Sequence, residues 1–376
     1  MPTLNVTSEA KRNLADLKLA TIEILETASG VESKLLFDKI DFVITDQTAH
    51  NFGVEELVAQ DLGTVTTPEH LFCNVHLSLM FNRILTKQWR DIENVIGRDK
   101  IYSNFLVNAT TTASCVTEHA LDCITKLINH DFDQKPWNKS NESDMHIAPK
   151  HNKSVSLKYE RFNHLTVKCA LTLYHYEDVS SFLEKYVHVT NQLASIVRCF
   201  LDLDFLLVMY CVGALIGLHL IEPFLSLTTS SKTTYSKLIP AFQQLYEDLS
   251  KTDPVLLLDV NKYAFNFVCE DRFQDSRYDD DICEAISRVT DTYRYQVVHI
   301  LKMLLPHLAE GFLKQKGKIF GFGDVESDIH SLSNMDPVKF EQAPIHNLDA
   351  ERRVGFINYE LGKRGAEQLM CAHYLK

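Results

Sequence analysis

The chain has 376 residues, which is enough to bury one large core or to form two domains. Hydrophobic residues make up 45% and charged residues 23%, a balance typical of folded globular proteins that excludes a disordered chain. The formal net charge of -12 matches the phosphate backbone of nucleic acid poorly, so DNA binding would need a local basic face.

The first ninety residues predict alternating helices and strands. Apolar residues recur at helical spacing from Asn13 to Ala28 and stop at Gly30, and short β-rich runs follow further on. The expected elements after that helix are a strand over 39–45, a helix over 51–62 closed by Gly63, a strand over 70–75 and a helix beginning near Leu79. This order is typical of an α/β fold with a parallel sheet.

From about residue 86 the pattern becomes helical. Long helices are predicted over 179–203 and 282–305, and the second should end or kink at Pro306. Exposed loops are expected at 131–156 and 275–281 and a linker at 314–333, before the pattern returns to helix over 347–369.

The run from Phe205 to Leu220 is the one membrane candidate in the sequence. It is shorter than the ~20 apolar residues that a spanning helix needs, and it contains two glycines and His219. We therefore expect a buried helix in a helical domain and no membrane partner.

Nine scattered cysteines and the absence of a signal-like first segment predict reduced thiols in the nucleus or cytoplasm. Cys115 and Cys123 could be read as metal ligands, but their spacing along a helix is also that of two core positions.

Three positions could carry chemistry. Asp46 ends the strand FVITD, where functional groups gather in α/β sheets, although an Asp after a strand also often caps the next helix. Cys73 and His76 follow the second strand as a C-x-x-H pair, which fits either metal binding or simple packing with a hydrogen-bonded histidine. Glu351 precedes two arginines and could equally be a surface residue of an amphipathic helix.

In order and spacing these segments resemble the hAT superfamily of DNA transposases, which have a ribonuclease-H-like core interrupted by a large helical insertion. The similar segments are Thr45-Asp46 with Ala49 and Asn51, Cys73 and His76 before an apolar helix, Arg161-Phe162-Asn163, Leu227 to Leu249, and Ala350-Glu351-Arg352. The sequence departs from the family where Phe162 replaces a tryptophan and where Val354 and Gly355 follow the last motif.

The resemblance implies a site in which two Asp and one Glu hold two divalent ions, such as Mg²⁺, for cleavage and strand transfer of DNA. Asp46 and Glu351 would be the second and third carboxylates, Cys73 and His76 would support the site geometry, and Arg161 could contact DNA. The first carboxylate should lie on a strand upstream of the Asn13 helix, of which Thr3 to Val6 could be the end, and Asp16 cannot replace it from inside a helix.

We therefore expect an amino-terminally truncated, catalytically inactive relative with a partial ribonuclease-H-like core, mostly helical overall. The expected divisions are a partial core over 1–90, an all-helical insertion over 91–313, a linker over 314–346 and a helix returning to the core over 347–376. Without its central strand the sheet would expose an apolar edge, which favours self-association or a protein partner. The alternative is a non-enzymatic protein-interaction module with no chemistry.

Overall fold

The computed structural model describes residues 2–45, 53–96, 115–129, 164–185, 192–230, 233–267 and 278–317, with 341 and 343. The protein consists of two compact units. In the described residues the smaller unit comprises 2–45, 53–76 and the short stretch around Thr228–Leu238, and the larger unit comprises Leu77–Leu227 and the part that resumes at Ile239. The expected α/β order at the start and a mostly helical whole are confirmed, whereas a ribonuclease-H-like core stays a prediction.

The smaller unit is an α/β unit. Its elements are the helix α1 (Pro2–Ser29), the short helix α2 (Ser33–Phe37), the strand β1 (Phe42–Thr45), the helix α3 (Val54–Leu62) and the strand β2 (Glu69–Phe72), followed by a 3-10 helix (Asn74–His76). The strands pair in parallel, as expected for strands joined through a helix. Gly30 and Gly63, both at positive φ, end α1 and α3 as the sequence predicts.

The core of this unit lies among its three helices. The buried apolar residues come from α1, α2 and α3, and they are Ala15, Ile22, Phe37, Val54, Val58 and Ala59. Arg12 of α1 bridges to Asp61 of α3 at 2.7 Å, and Lys18 pairs with the buried Glu55. The pairing explains how a carboxylate is tolerated at a nearly fully buried position.

One expectation about this unit is wrong. Thr3 to Val6 is helical rather than the end of a strand, because α1 begins at Pro2, which is compatible with the first turn of a helix. Asp16 lies within α1, where it pairs with Arg12 on the exposed side. Neither stretch therefore supplies a strand carboxylate.

The larger unit is all-helical in its described part. Its elements are α4 (Leu77–Ile96), α5 (Val116–Asn129), α6 (His164–Tyr174), α7 (Tyr176–Lys185), α8 (Gln192–Leu201), α9 (Asp204–Ile216), a π-helix (Gly217–Ile221), α10 (Glu222–Thr229), α11 (Tyr235–Lys251), a 3-10 helix (Pro254–Leu258), α12 (Asp280–Thr292), α13 (Arg294–Phe312) and a second π-helix (Leu313–Gly317).

The apolar helix is longer than its sequence run suggests. From Asp204 to Thr229 it is long and apolar enough to cross a membrane by length and composition, and 89% of its most apolar window is buried inside the structure. The prediction of a buried helix is confirmed. His219 in its π-helical turn is satisfied there, since its Nε2 lies 2.8 Å from the carbonyl of Leu257 and its Nδ1 accepts from the backbone N–H of Ala264.

Four phenylalanines close the core of the larger unit. Phe81 of α4 lies 5.6 Å from Phe224 of α10, which lies 5.7 Å from Phe242 of α11, measured between ring centroids. Phe312 of α13 lies 5.4 Å from Phe242 and 6.1 Å from Phe81. Helices from both ends of this unit therefore meet in one aromatic cluster.

Several predicted boundaries differ from the structure. The helix expected over 179–203 is two helices, α7 and α8, and that expected over 282–305 is divided at Tyr293, where φ is -115°. Pro306 does not end α13, because it lies on the exposed face, where water can solvate the carbonyl that loses its N–H donor. The linker does not begin at Lys314, which belongs to the second π-helix.

The buried side chain of Glu93 links two helices of the larger unit. This fully buried carboxylate of α4 accepts the backbone N–H groups of Val116 and Thr117 at 2.8 and 2.7 Å and the Thr117 hydroxyl at 2.6 Å, so it caps α5 from another helix. We expect Glu93→Ala to lower the free energy of unfolding by about 3 kcal/mol, because it leaves buried donors unpaired. Glu93→Gln, which keeps one acceptor, should cost about half as much.

The measurement is urea unfolding followed by circular dichroism. Asp91→Ala, an exposed change in the same helix, is the control and should stay within about 0.5 kcal/mol of the wild type. A loss for Glu93→Ala no larger than that of the control would mean that the cap contributes nothing.

Candidate functional site

The carboxyl ends of β1 and β2 form one edge of the sheet. Thr45 pairs with Phe72 in the parallel register, so the chain leaves both strands on the same side. Asp46 follows Thr45 in the sequence but lies outside the described residues. Cys73 follows Phe72 and is nearly fully buried, and the 3-10 helix begins at the next residue. In α/β proteins this edge is where functional groups gather.

A second segment of the chain contributes to the same region. Tyr235, the first residue of α11, is buried beside this edge, and its hydroxyl oxygen accepts from Nδ2 of Asn74 at 3.5 Å. Burial raises the pKa of Tyr235, the hydrogen bond from Asn74 opposes that shift, and the neighbouring Cys73 adds to it. Tyr235 is therefore a neutral hydrogen-bonding group and not an anion at neutral pH.

This contact joins two motifs that the sequence analysis singled out separately. Cys73 and His76 belong to the C-x-x-H pair, and Tyr235 lies in the Leu227 to Leu249 segment. Neither Asn74 nor Tyr235 was predicted individually, because a hydrogen bond across 161 residues of sequence leaves no local pattern. The nearest signal was a tyrosine inside an otherwise polar stretch before a helix.

His76 ends the 3-10 helix and is half-buried. Within the part of the chain that the structure describes, no three His, Cys, Asp or Glu side chains form a group that could hold a metal ion. A supporting role for Cys73 and His76 beside a metal site therefore stays a prediction.

The remaining predicted site residues, Asp46, Glu351 and Arg161, lie outside the described residues. The N-cap of α3 is Gly53, and the helix begins at Val54. Whether Asp46 carries chemistry or caps a helix therefore stays a prediction.

Cys115 and Cys123 are core residues rather than an activated pair. Both are buried, and Cys123 Sγ lies 3.7 Å from Nε2 of His119. Burial raises the pKa of the Cys123 thiol to about 11, which disfavours a reactive free thiolate near neutral pH. Both cysteines are buried, as expected for two core positions.

No family model, no curated protein and no solved structure matches this chain. The class of protein is therefore defined by the structure itself: a mostly helical protein in which a small parallel α/β unit accompanies a larger all-helical unit.

The contact between Asn74 and Tyr235 can be measured with a double-mutant cycle. Asn74→Ala and Tyr235→Phe should be non-additive by about 0.5–1 kcal/mol in the free energy of unfolding, because either change removes the same hydrogen bond. The control pair is Asn74→Ala with Tyr295→Phe, since Tyr295 is 80% exposed in the other unit, and its effects should add. Additivity in both cycles would show that the bond is not formed in solution.

His119 predicts a pH dependence of stability. Burial lowers the pKa of this histidine below its usual value, outweighing the opposite effect of Asp122, and its ring lies edge-to-face on Phe200 at 5.9 Å. Because the unfolded chain binds the proton more tightly, the free energy of unfolding should fall as the pH drops through about 6.5. Above that pH both states carry the neutral ring and the difference vanishes.

The test compares urea unfolding at pH 7.5 and 5.5 for the wild type and His119→Gln, with each pH chosen on one side of the ordinary histidine pKa. The variant should lose about 0.5–1 kcal/mol less stability on acidification than the wild type. His299→Gln, which changes an exposed histidine, is the control and should track the wild type. An identical pH dependence for His119→Gln would exclude this histidine as a contributor.

Proposed function

We propose that this chain is derived from a DNA transposase of the hAT kind and does not cleave or join DNA in its present form. The observation that carries the proposal is the way the smaller unit is assembled. Residues up to His76 and the stretch Thr228–Leu238 belong to one unit, and the residues between them, Leu77–Leu227, belong to the helical unit. An α/β unit interrupted by a helical domain is the architecture that the motif resemblance implies.

The site geometry adds support. The Asp46 motif directly follows β1, the Cys73 and His76 pair follows β2, and the paired strands are parallel. On the proposed function, Asp46 and Glu351 are the remaining carboxylates of a divalent-metal site, while Cys73, His76 and Tyr235 support the edge of the sheet. Mg²⁺ would supply polarisation of the scissile phosphate there.

The proposed inactivity is supported by the described residues of the smaller unit. The motif resemblance implies a site of two Asp and one Glu, and the described residues before β1 form helices and provide no strand for a further carboxylate. Asp16 is exposed on α1 and paired with Arg12, so it does not replace the first carboxylate.

The proposal is tested with a supercoiled plasmid incubated with the chain and Mg²⁺ or Mn²⁺. We expect no nicking above that of the Asp46→Ala variant. Nicking that disappears in Asp46→Ala and in Glu351→Ala would overturn the proposed inactivity while supporting the two carboxylates. Nicking that persists in both variants would place any activity elsewhere.

The transposase origin has its own measurement. In a variant carrying Asp46→Cys and Glu351→Cys, a short thiol-reactive cross-linker should join the two peptides, because the proposed fold brings both carboxylates to one metal site. Mass spectrometry of the digested protein identifies the linked pair, and each single variant is the control. Failure of the two positions to link in the folded protein would remove the basis for the family assignment.

A non-enzymatic interaction module is the second candidate, and one observation favours it. Leu17, Ile24 and Leu25 of α1 are 64%, 68% and 51% exposed. Exposed apolar side chains at helical spacing are typical of protein-binding faces. Under this function Asp46→Ala and Glu351→Ala change no binding, whereas Leu17→Asp with Ile24→Asp abolishes capture of the partner.

A further inference from the structure

The exposed face of α13 has an unusual charge for so acidic a protein. From Arg294 to Phe312 the helix carries one carboxylate, Glu310, and that group pairs with Lys314 at 2.7 Å. Arg294 and Lys302 are exposed on the same helix and form no ion pair within the described residues. The chain as a whole has a net charge of -12, so unneutralised cations on one helix stand apart from its average surface.

An aromatic pair lies between these cations. Tyr295 is 80% exposed, and its ring is stacked on that of His299 at 6.3 Å between centroids and 9° between planes. With His299 as its stacking partner, the tyrosine ring still exposes most of its surface to solvent. An exposed ring held flat beside cations is the arrangement on which unstacked bases pack.

Further cations lie near the other end of α13. The pKa of the Glu310 carboxyl is lowered first by Lys314 and, more weakly, by His307 and by Lys87 of α4. The two helices pack closely there, since a Cβ at Gly311 would lie 2.4 Å from Cδ1 of Ile84. The one carboxylate of α13 is therefore surrounded by cations and leaves Arg294 and Lys302 without a counter-ion on this helix.

We propose that this surface, formed by Arg294, Tyr295 and Lys302, binds single-stranded nucleic acid. The cations contact the phosphates, and Tyr295 stacks on one base. From Arg294 to Lys302 the helix rises about 12 Å, a length that a short run of unpaired nucleotides covers. A duplex fits less well because its bases are already stacked and hide their faces.

Other polyanions match the surface less closely. A membrane would need inserted aliphatic side chains, and Met303, 38% exposed, is the one aliphatic side chain among the exposed large hydrophobic residues of α13. An acidic peptide would use the cations but not an open aromatic face. The inference does not rest on the proposed function, because single-strand binding requires neither a metal ion nor the carboxylates Asp46 and Glu351.

Two other lysines of the described residues are less available to a polyanion. Lys168 is paired with Asp122 at 2.8 Å, and Lys316 is 1% exposed. Arg161, which the motif resemblance suggested as a DNA contact, lies outside the described residues.

The test measures fluorescence anisotropy of a labelled thymidine oligonucleotide titrated with the full chain, beside a duplex of equal length and phosphatidylserine vesicles. We expect the single strand to bind more tightly than the duplex. Tyr295→Ala should weaken single-strand binding by roughly 5-fold or more, whereas Tyr295→Phe, which keeps the ring, should retain it. In Arg294→Glu with Lys302→Glu, the slope of log affinity against log salt should fall by about 0.7 per lost cation.

The matched controls are Lys251→Glu and Lys262→Glu, which change lysines that are 73% and 69% exposed elsewhere in the same unit. They should bind like the wild type, and the thermal midpoint of every variant should confirm that it is folded. The proposal is overturned by an absence of oligonucleotide binding, by equal losses in the controls, by preference for the duplex, or by binding to the vesicles alone.

Discussion

The helical unit depends on one cluster of buried phenylalanines, three of which come from the segments where the chain passes between the two units. Phe81 lies just after Leu77, where the larger unit begins, Phe224 lies just before Leu227, and Phe242 lies just after Ile239, where the unit resumes. Their rings are in contact, so three crossing points of the chain are held at one place within the helical unit. A large helical domain can interrupt a small α/β unit only if its ends are held close together, and buried aromatic contacts do this without polar groups that would need partners.

Tyr235 belongs to the smaller unit although it lies far from the strands of that unit in the sequence. The stretch Thr228–Leu238 leaves the helical unit and belongs to the smaller one, where Tyr235 lies against the end of β2. The candidate site is thus assembled from segments that the helical unit separates in the sequence. Its chemistry is structural in the described residues, with a protonated tyrosine, a buried thiol and an amide, and the carboxylates that would add metal chemistry remain part of the proposal.

Charge is distributed unevenly over the molecule. Buried carboxylates accept hydrogen bonds from specific partners, as with Glu93 at the start of α5 and with Asp248, which accepts from the backbone of Asn266 and Phe267. In the part of the chain that the structure describes, Arg294 and Lys302 of α13 are exposed and form no ion pair. A net charge of -12 therefore describes the average of the chain and not the surface that a polyanion would meet.

The sequence by itself determined the order of elements in the first ninety residues, because strand and helix periodicities and the glycines at positions 30 and 63 are local signals. It also determined that the apolar run around His219 is a buried helix. It failed where local signals were ambiguous. Thr3 to Val6 is too short to distinguish a strand from a helix, a helix divides at Tyr293 without Gly or Pro, and the exposure of Pro306 lets its helix continue. Only the tertiary structure decided which distant side chains meet, namely Asn74 with Tyr235, Glu93 with α5 and Lys87 with α13, because contacts between residues far apart in the chain leave no periodic pattern.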